Sequence, residues 1–309
     1  MNGVLIIDKP SGLTSHDVVN RVRRILGQRS VGHLGTLDPM ATGVLPLVIG
    51  NMTRLAQFYT HAEKVYEGSI RFGYATDTYD AEGEPSRSVQ RVALDVALNL
   101  AQFRVIAERF RGTIEQMPPP FSAKKIHGVP AYKLARKHKD VALKPVQVHV
   151  KEFEIFGVRD DLALFRARVA SGTYMRSIAH EIGQELGCGA HLNTLRRVAV
   201  AEFTLEDAHT LEQLSAKVDS ESSAAWEDLF VHPRKLLPQM PSVTADEAAV
   251  GRIRTGRTVN LPEVSGARQV KVFEGQRELI AIATRVAGTL FHPGIVLCGG
   301  SHEGGSNVR

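Results

Sequence analysis

Apolar and polar positions repeat along the chain either every second residue, which predicts strands, or at helical spacing, which predicts helices. A continuous apolar run at 4–7 predicts a short buried strand that leads into a turn at 8–12. The next apolar residues repeat at helical spacing, which predicts a helix capped by Thr14 or Ser15 and ended by Gly27. The chain therefore opens with a strand, a turn and a helix.

The middle of the chain continues to mix the two periods. Residues 44–50 form an apolar run that contains a proline, which favours an edge strand or the start of a strand. Residues 65–74 alternate with period two and predict a half-buried strand, whereas residues 94–111 suit an amphipathic helix. Residues 162–170 predict a further strand, which a turn at 171–173 joins to a helix.

The composition changes near residue 240. The proline-rich segment 233–241 is typical of a linker. Beyond it, a helix is predicted at about 244–255, and three strands are predicted at 268–273, 278–286 and 294–298. We expect a first domain at 1–240, a small β module at 241–298 and a disordered Gly/Ser-rich tail at 299–309.

Charge is distributed unevenly between the two halves. The 309 residues include 38 Lys and Arg against 33 Asp and Glu, a net charge of +5. Residues 1–150 hold 20 against 13, whereas residues 151–309 hold 18 against 20. The stretch from Gln116 to Lys139 carries six basic residues and no acidic one, so it is either a solvated surface or a surface that contacts phosphates. The positive first half favours a polyanionic partner.

Composition and motif searches exclude several classes of protein. A hydrophobic content of 43% and a charged content of 23% exclude a disordered or collagen-like chain. Two cysteines, Cys188 and Cys298, cannot build a disulfide framework, and no apolar stretch suits a signal peptide or a membrane span, so we expect a cytoplasmic protein. The sequence shows no phosphate-binding loop, dinucleotide fingerprint, zinc-protease helix, calcium loop or serine-nucleophile elbow.

One glycine-punctuated loop, residues 31–46, holds a single carboxylate, Asp38, directly before a proline. Pro39 restricts Asp38 to extended backbone, and the nearby glycines let a ligand approach closely. A carboxylate with an ordinary pKa of about 3.9 is ionised at neutral pH and can serve as a nucleophile. An aspartate before proline is also a common turn former.

The block GHLGTLDPMATGVLPLVIG, residues 32–50, closely resembles the catalytic motif of the TruB-type tRNA pseudouridine-55 synthases. The resemblance covers essentially the whole chain in order. Its other parts lie at 3–15, 64–83, 110–136 and 172–197, and the C-terminal module is similar to a PUA domain. It implies an α+β fold in which helices and loops flank a central mixed or antiparallel sheet, followed by a small PUA-like β module.

The resemblance also implies a reaction and the residues that perform it. The family isomerises a uridine of the TΨC loop of tRNA, at position 55, by flipping the base, breaking its N1–C1′ bond and forming a C5–C1′ bond. Asp38 matches the catalytic aspartate, Tyr66 the tyrosine that stacks on the base, and Arg176 the arginine that pairs with the aspartate. Such a pair would be bidentate and would lower the pKa of Asp38. Asp38 adding to the base, Asp38 capturing the sugar and a glycal intermediate all remain open.

Further residues match the family's substrate contacts. His33 matches the residue that fills the space of the flipped base, while Tyr174, Leu195 and Lys9 match residues of the pocket and its support. We expect the insert at about 116–140 to contact the RNA backbone through four basic side chains, namely Lys124, Lys125, Lys133 and Arg136. The resemblance implies a tRNA substrate bound through its T stem-loop, no metal or coenzyme, no protein partner and a monomer.

Three alternative functions predict sequence features that differ from those of this one. A non-catalytic RNA-binding protein on the same fold predicts the loss of Asp38, Tyr66 or Arg176, and all three are present. A hydrolase with an aspartyl nucleophile needs a second carboxylate or a metal cluster, and the sequence shows neither. The compact length and the stretch 116–139 favour the stand-alone bacterial type over the guide-RNA-dependent relatives.

Overall fold

The computed structural model describes residues 1–86, 100–121, 125–126, 129–130, 143–220, 223–263 and 265–297. The α-helices of this part are α1 Ser15–Ile25, α2 Leu100–Arg109, α3 Met175–Glu185, α4 Leu211–Ser220 and α5 Glu247–Arg254. The strands of the first half are β1 Gly3–Lys9, β2 Val31–His33, β3 Thr42–Ile49, β4 Lys64–Phe72, β5 Gly112–Gln116, β6 Lys125–Ile126 and β7 Val129–Pro130. Those of the second half are β8 Val146–Arg159, β9 Leu162–Val169, β10 Ala190–Val200, β11 Phe203–Thr204, β12 Ala208–His209, β13 Ser242–Thr244, β14 Val259–Asn260, β15 Gln269–Glu274, β16 Glu278–Ala287 and β17 Leu290–Val296.

A large mixed sheet organises the first 210 residues. Its strands follow the order β12-β1-β3-β10-β4-β9-β8-β5, with β2 beside β3 and β11 beside β10. The pairs β1–β12 and β3–β10 are parallel and the others are antiparallel. Helices α1, α2 and α3 pack their apolar residues onto this sheet. The predicted α+β fold with a mixed sheet is therefore confirmed.

Local sequence signals explain the first helix. The Thr14 hydroxyl accepts a hydrogen bond from the Asp17 backbone N–H at 3.1 Å, and the Asp17 carboxylate accepts one from the Thr14 N–H at 2.9 Å. This capping box satisfies two N–H groups that a helix start leaves unpaired. Val18, Val19 and Val22 then face the core, as their spacing predicts.

The expected edge position of the strand that contains Pro46 is wrong. β3 lies inside the sheet, with β1 on one side and β10 and β2 sharing the other. β10 pairs with β3 only at Thr42 and Gly43, and β2 begins to pair at Leu47. Pro46 lies in the gap between these two partner strands. No carbonyl of β10 or β2 is paired with residue 46 there, so the missing N–H of the proline breaks no ladder hydrogen bond.

A second sheet, β13-β15-β16-β17-β14, follows and is consistent with the PUA-like module. Its residues Phe273, Leu279 and Ile282 share an apolar core with Val4 and Ile6 of β1. The segment between the sheets is packed rather than free: Leu236 and Leu237 are buried in the same core. The division near residue 240 stays a prediction, and this shared core joins the two sheets firmly.

Within the described ranges, no helix is both long and apolar enough to cross a membrane. The tail from 299 onward and residues 94–99 of the predicted second helix lie outside the described residues.

Candidate active site

The Asp38 segment is fixed by contacts to both of its neighbours. The Ser15 hydroxyl at the start of α1 accepts a hydrogen bond from the Leu37 N–H at 2.8 Å. The Pro39 carbonyl accepts hydrogen bonds from the Lys9 ammonium at 3.0 Å and from the Gly12 N–H at 2.9 Å. The strand–turn–helix unit at the N-terminus therefore holds the backbone on either side of Asp38, and the carboxylate has little freedom to move.

Asp38 opens into a cavity of about 270 Å³ that several predicted residues share. The strands β4 and β10 supply Tyr66 and Leu195, and the start of α3 supplies Tyr174 and Arg176. These segments are far apart in the sequence and meet because β4 pairs with β10 and the 171–173 turn returns the chain to the sheet. The structure thus brings together five of the predicted site residues around one cavity.

Arg176 is buried and contacts two carboxylates. Its Nε lies 3.0 Å from Asp38 Oδ2, and its Nη1 lies 3.5 Å from Asp80 Oδ2. The Nε–H direction misses the Asp38 oxygen, so this contact is an ion pair rather than a linear hydrogen bond. The expected bidentate pair is wrong. The guanidinium instead turns its other nitrogens to the carbonyl oxygens of Thr78 and Phe121, at 3.2 and 3.0 Å.

Asp80 is a site residue that the sequence did not single out. Its carboxylate is 5% exposed, and its Oδ1 accepts hydrogen bonds from the Thr78 hydroxyl at 2.6 Å and the Glu82 N–H at 3.1 Å. The loop that carries Asp80 is attached to β10 by two backbone hydrogen bonds. Leu192 of β10 donates to the Tyr79 carbonyl and accepts from the Ala81 N–H, the residues on either side of Asp80. The acidic residues at 77–84 do not have the spacing of a calcium loop, and their spacing gives no sign of a contact with α3.

The pKa of Asp38 is raised from its ordinary value, which contradicts the expectation from the Arg176 pair. Burial is the largest cause, and the negative charge of Asp80 adds to it, while Arg176 and Lys9 act in the opposite direction. The side chain keeps 37% of its surface exposed, and this residue lines the cavity. Desolvation therefore outweighs the attraction of the guanidinium.

Tyr66 and Tyr174 are held in different ways. Tyr66 is 8% exposed and stands opposite Arg197 in the register of β4 and β10, so the sheet fixes its backbone. Tyr174 caps α3, and its N–H donates to the Gln116 side chain at 2.8 Å while its carbonyl accepts from the same amide at 3.0 Å. Gln116 therefore ties the start of the predicted insert to the start of α3.

Lys9 and His33 lie around the Asp38 segment. Lys9 is fully buried, and its ammonium donates to the carbonyl oxygens of Pro10, Leu13 and Pro39. Burial lowers the pKa of Lys9 to about 8, although Asp38 raises it. The His33 Nδ1 accepts a hydrogen bond from the Gly35 N–H at 3.3 Å, and burial lowers the pKa of this imidazole, so it is neutral at pH 7.

The predicted backbone contacts of the insert fall largely outside the described residues. Lys124, Lys133 and Arg136 are not described, and only the backbone of Lys125 is, in the short hairpin of β6 and β7. Their role stays a prediction. Among the residues that the structure does describe, no group of three or more His, Cys, Asp or Glu is arranged to hold a metal ion.

Two family models match consecutive parts of the chain. The N-terminal domain of the TruB family pseudouridylate synthases matches residues 23–175, and the C-terminal domain of tRNA pseudouridylate synthase B matches residues 176–237. The chain belongs to the TruB family of pseudouridylate synthases. The resemblance found in the sequence is confirmed, and the two matches meet at Arg176, inside the cavity described above.

Relatives and solved structures agree with membership of the TruB family. The tRNA pseudouridine synthase B of Solibacter usitatus is 50% identical over 303 residues, 96% of this chain and all of that protein. That of Aquifex aeolicus is 39% identical over 90% of this chain and 93% of its own. A chain in the solved structure of a Cbf5–Nop10–Gar1 complex is 26% identical with a TM-score of 0.70, covering 96% of this chain and 85% of that one.

Asp80 provides a test of the charge cluster in this TruB-family site. We expect Asp80→Asn to move the acid limb of the pH–rate profile to lower pH, because removing the Asp80 charge lowers the pKa of Asp38. The rate at pH 7 should fall by about tenfold, since Arg176 loses one of its two anionic partners. Single-turnover rates between pH 5 and 8 check both effects.

The matched control is Asp77→Asn in the same loop, where the exposed carboxylate accepts a hydrogen bond from the Glu84 N–H. This variant should keep the acid limb of the unchanged protein. An acid limb that stays in place in Asp80→Asn would contradict the electrostatic coupling of Asp80 to Asp38.

Proposed function

We propose that this protein isomerises a uridine in the T stem-loop of tRNA, at position 55, to pseudouridine. The observation that carries the proposal is the placement of Asp38, Tyr66 and Arg176 around one cavity in a chain of the TruB family. The relatives named tRNA pseudouridine synthase B supply the substrate class. No observation favours the alternative of a non-catalytic RNA-binding protein.

The reaction exchanges one glycosidic bond for another within the same nucleotide. The N1–C1′ bond breaks, the base rotates in the cavity, and the C5–C1′ bond forms. The hydrogen on C5 leaves as a proton, and N1 gains one, so nothing is consumed. In this proposal the Asp38 carboxylate is the nucleophile, toward either the base or the sugar. Arg176 opposes the rise in its pKa and orients it through the 3.0 Å contact.

The other cavity residues position the uridine. In this proposal Tyr66 stacks on the base and is the candidate for taking the C5 proton. Tyr174 and Leu195 line the same cavity. Lys9 keeps the Asp38 segment in place through the Pro39 carbonyl. A detached base must stay close to the sugar, and the walls of the cavity limit its movement.

Base flipping makes the uridine accessible. A uridine in a folded RNA loop is stacked, and its extrusion costs a few kcal/mol. The neutral His33 ring can stack in the space that the base leaves, and its Nε2–H can donate a hydrogen bond. Contacts of the insert with phosphates would offset the remaining cost.

The proposal extends to assembly and location. We propose that the protein acts on tRNA as a monomer, without a protein partner or cofactor, and that it works in the cytoplasm. We also propose that residues 1–240 form the catalytic domain and that the module at 241–298 adds RNA contacts.

The release of tritium from C5 tests this reaction directly. We expect the protein to release tritium from a tRNA transcript labelled at C5 of its uridines, in an amount equal to one uridine per tRNA. An isolated T-arm hairpin should react as well, because the proposal needs only the T stem-loop. A transcript whose uridine 55 is replaced by cytidine is the control. Equal release from that transcript would contradict the assignment of position 55.

The basic insert makes a separate prediction about binding. Neutralising Lys124 and Lys125 together, as Lys→Gln, should weaken binding of tRNA and make its salt dependence flatter. Each lost phosphate contact reduces the slope of log K against log[salt] by about 0.7 to 0.9. Filter binding between 50 and 200 mM salt measures the slope. Lys151→Gln with Lys217→Gln, which neutralises two lysines paired with surface carboxylates, is the control. An unchanged slope would mean that the insert is merely solvated.

A further inference from the structure

Two further cationic side chains, Lys64 and Arg197, line the catalytic cavity. Neither forms an ion pair with Asp38 or Asp80, the carboxylates that Arg176 contacts. Lys64 is the first residue of β4, two positions before Tyr66, so the two side chains share a face of the sheet. Arg197 lies on β10, opposite Tyr66 in the register. Neither residue has a part in the isomerisation as proposed above.

Both cations are buried without a carboxylate partner. Arg197 is fully buried and donates to the carbonyl oxygens of Val44, Thr36 and Gly35. Lys64 is 9% exposed, and the structure gives its ammonium one hydrogen bond, to the Ala62 carbonyl at 2.8 Å. The acidic side chains of the described ranges form no ion pair with either residue, which is unusual because buried charges are normally paired.

The surroundings of Lys64 indicate what its missing partner is. Burial and the nearby positive charge of Arg197 lower the pKa of Lys64 to about 8, so a bound anion would stabilise its charged form. In the same cavity the Thr173 hydroxyl is buried and has no hydrogen-bond partner among the described residues. The Lys64 ammonium has a single acceptor in the described ranges and could bind an anionic ligand as a further partner.

Lys64 lies where two neighbouring cavities share their lining. Lys64, Gly35 and Ser171 line both the catalytic cavity and a neighbouring cavity of about 250 Å³ that His33 also lines. One route for a strand that places its base against Tyr66 and continues toward His33 follows these residues, and a second runs through the cavity of about 650 Å³ that Asp38 and His33 both line. Gly35, at φ +131°, adds no side chain over the two cations: a Cβ there would lie 3.7 Å from Lys64 Cε and 3.6 Å from Arg197 Nη1.

We propose that Lys64, supported by the charge of Arg197, binds a backbone phosphate that flanks the flipped uridine. The inference rests on the proposed function, since it takes RNA as the substrate. The phosphodiester supplies the anion that the buried lysine lacks, and the contact forms only when the uridine has entered the cavity. Lys64 therefore contributes to the rate of conversion more than to the initial binding of RNA.

A combination of protein and RNA variants tests the contact. We expect Lys64→Met to lower the single-turnover rate on a T-arm hairpin by about 30-fold, in the range of a buried charge-assisted hydrogen bond. A neutral methylphosphonate at one of the two linkages that flank the target uridine should slow the unchanged protein by a similar factor. Combining that RNA with Lys64→Met should cost little more than either change alone.

The matched control is Lys151→Met, which removes an exposed lysine paired with Glu63. Its effect should be small and should multiply with that of the methylphosphonate. Thermal unfolding compares the stability of both variants with that of the unchanged protein. If Lys64→Met does not unfold cooperatively, Lys64→Gln replaces it.

The outcomes separate this inference from the function on which it rests. If the unchanged protein leaves the unmodified hairpin unconverted, the proposed function fails, and the phosphate contact fails with it. If conversion is normal but the effects of Lys64→Met and of the methylphosphonate multiply at both flanking linkages, the phosphate contact alone is overturned. Coupling at one flanking linkage and none at a linkage two nucleotides farther away supports it.

Discussion

Replacing Asp38 with asparagine should abolish pseudouridine formation and leave RNA binding within about tenfold of the unchanged protein. Asparagine has nearly the same shape, so the contacts of Ser15 and Lys9 with the neighbouring backbone remain. It lacks the negative charge that a nucleophile toward the base or the sugar needs. Loss of a covalent catalyst lowers turnover by at least about a thousandfold. Single-turnover conversion and equilibrium binding of the same transcript measure the two effects.

Asp161→Asn is the matched control for this substitution. Asp161 forms an ion pair with Arg71 at 3.1 Å, outside the catalytic cavity, so turnover should stay near that of the unchanged protein. Conversion by Asp38→Asn at more than a few per cent of the normal rate would remove Asp38 from the role of nucleophile. A parallel loss of binding would instead assign Asp38 to substrate recognition.

Replacing Arg176 with lysine should lower the rate by about a hundredfold even though the charge is kept. The guanidinium contacts Asp38 and Asp80 and also donates to the carbonyl oxygens of Thr78 and Phe121. A lysine ammonium is a single point and cannot reach all four positions together. Asp38 would keep a nearby positive charge but lose its fixed orientation. The measurement is the single-turnover rate at saturating protein.

Arg71→Lys, in an ion pair at the other end of β4, is the control for Arg176→Lys and should leave the rate nearly unchanged. The affinity for RNA should also be similar in both variants, because Arg176 is 5% exposed and lies inside the cavity. A rate within threefold of normal for Arg176→Lys would show that charge, and not geometry, is what Arg176 supplies.

Local signals predicted much of the fold correctly because short-range contacts decide those elements. The capping box of Thr14 and Asp17 fixes the start of α1 within four residues of sequence. The alternation around Tyr66 fixes which side chains of β4 face the core. The interior position of the strand that holds Pro46 was missed, because it depends on where β10 stops and β2 begins.

The active site was predicted in part, and the missing part depends on long-range packing. The motif around Asp38 and the turn before Arg176 identify their residues, but nothing near Asp80 shows that a bridge to β10 carries it to Arg176. The sign of the pKa shift of Asp38 was missed for a related reason. A sequence can suggest a cationic partner for a carboxylate, but its burial follows only from the packing of the folded chain.

The central claim is that the cavity around Asp38 converts a single uridine of tRNA to pseudouridine. The most direct test maps pseudouridine at nucleotide resolution in an unmodified tRNA transcript after incubation with the protein alone. We predict one new pseudouridine, at position 55 of the T loop, and none after incubation with Asp38→Asn. A transcript without pseudouridine, or the same pseudouridine after incubation with either protein, would contradict the claim.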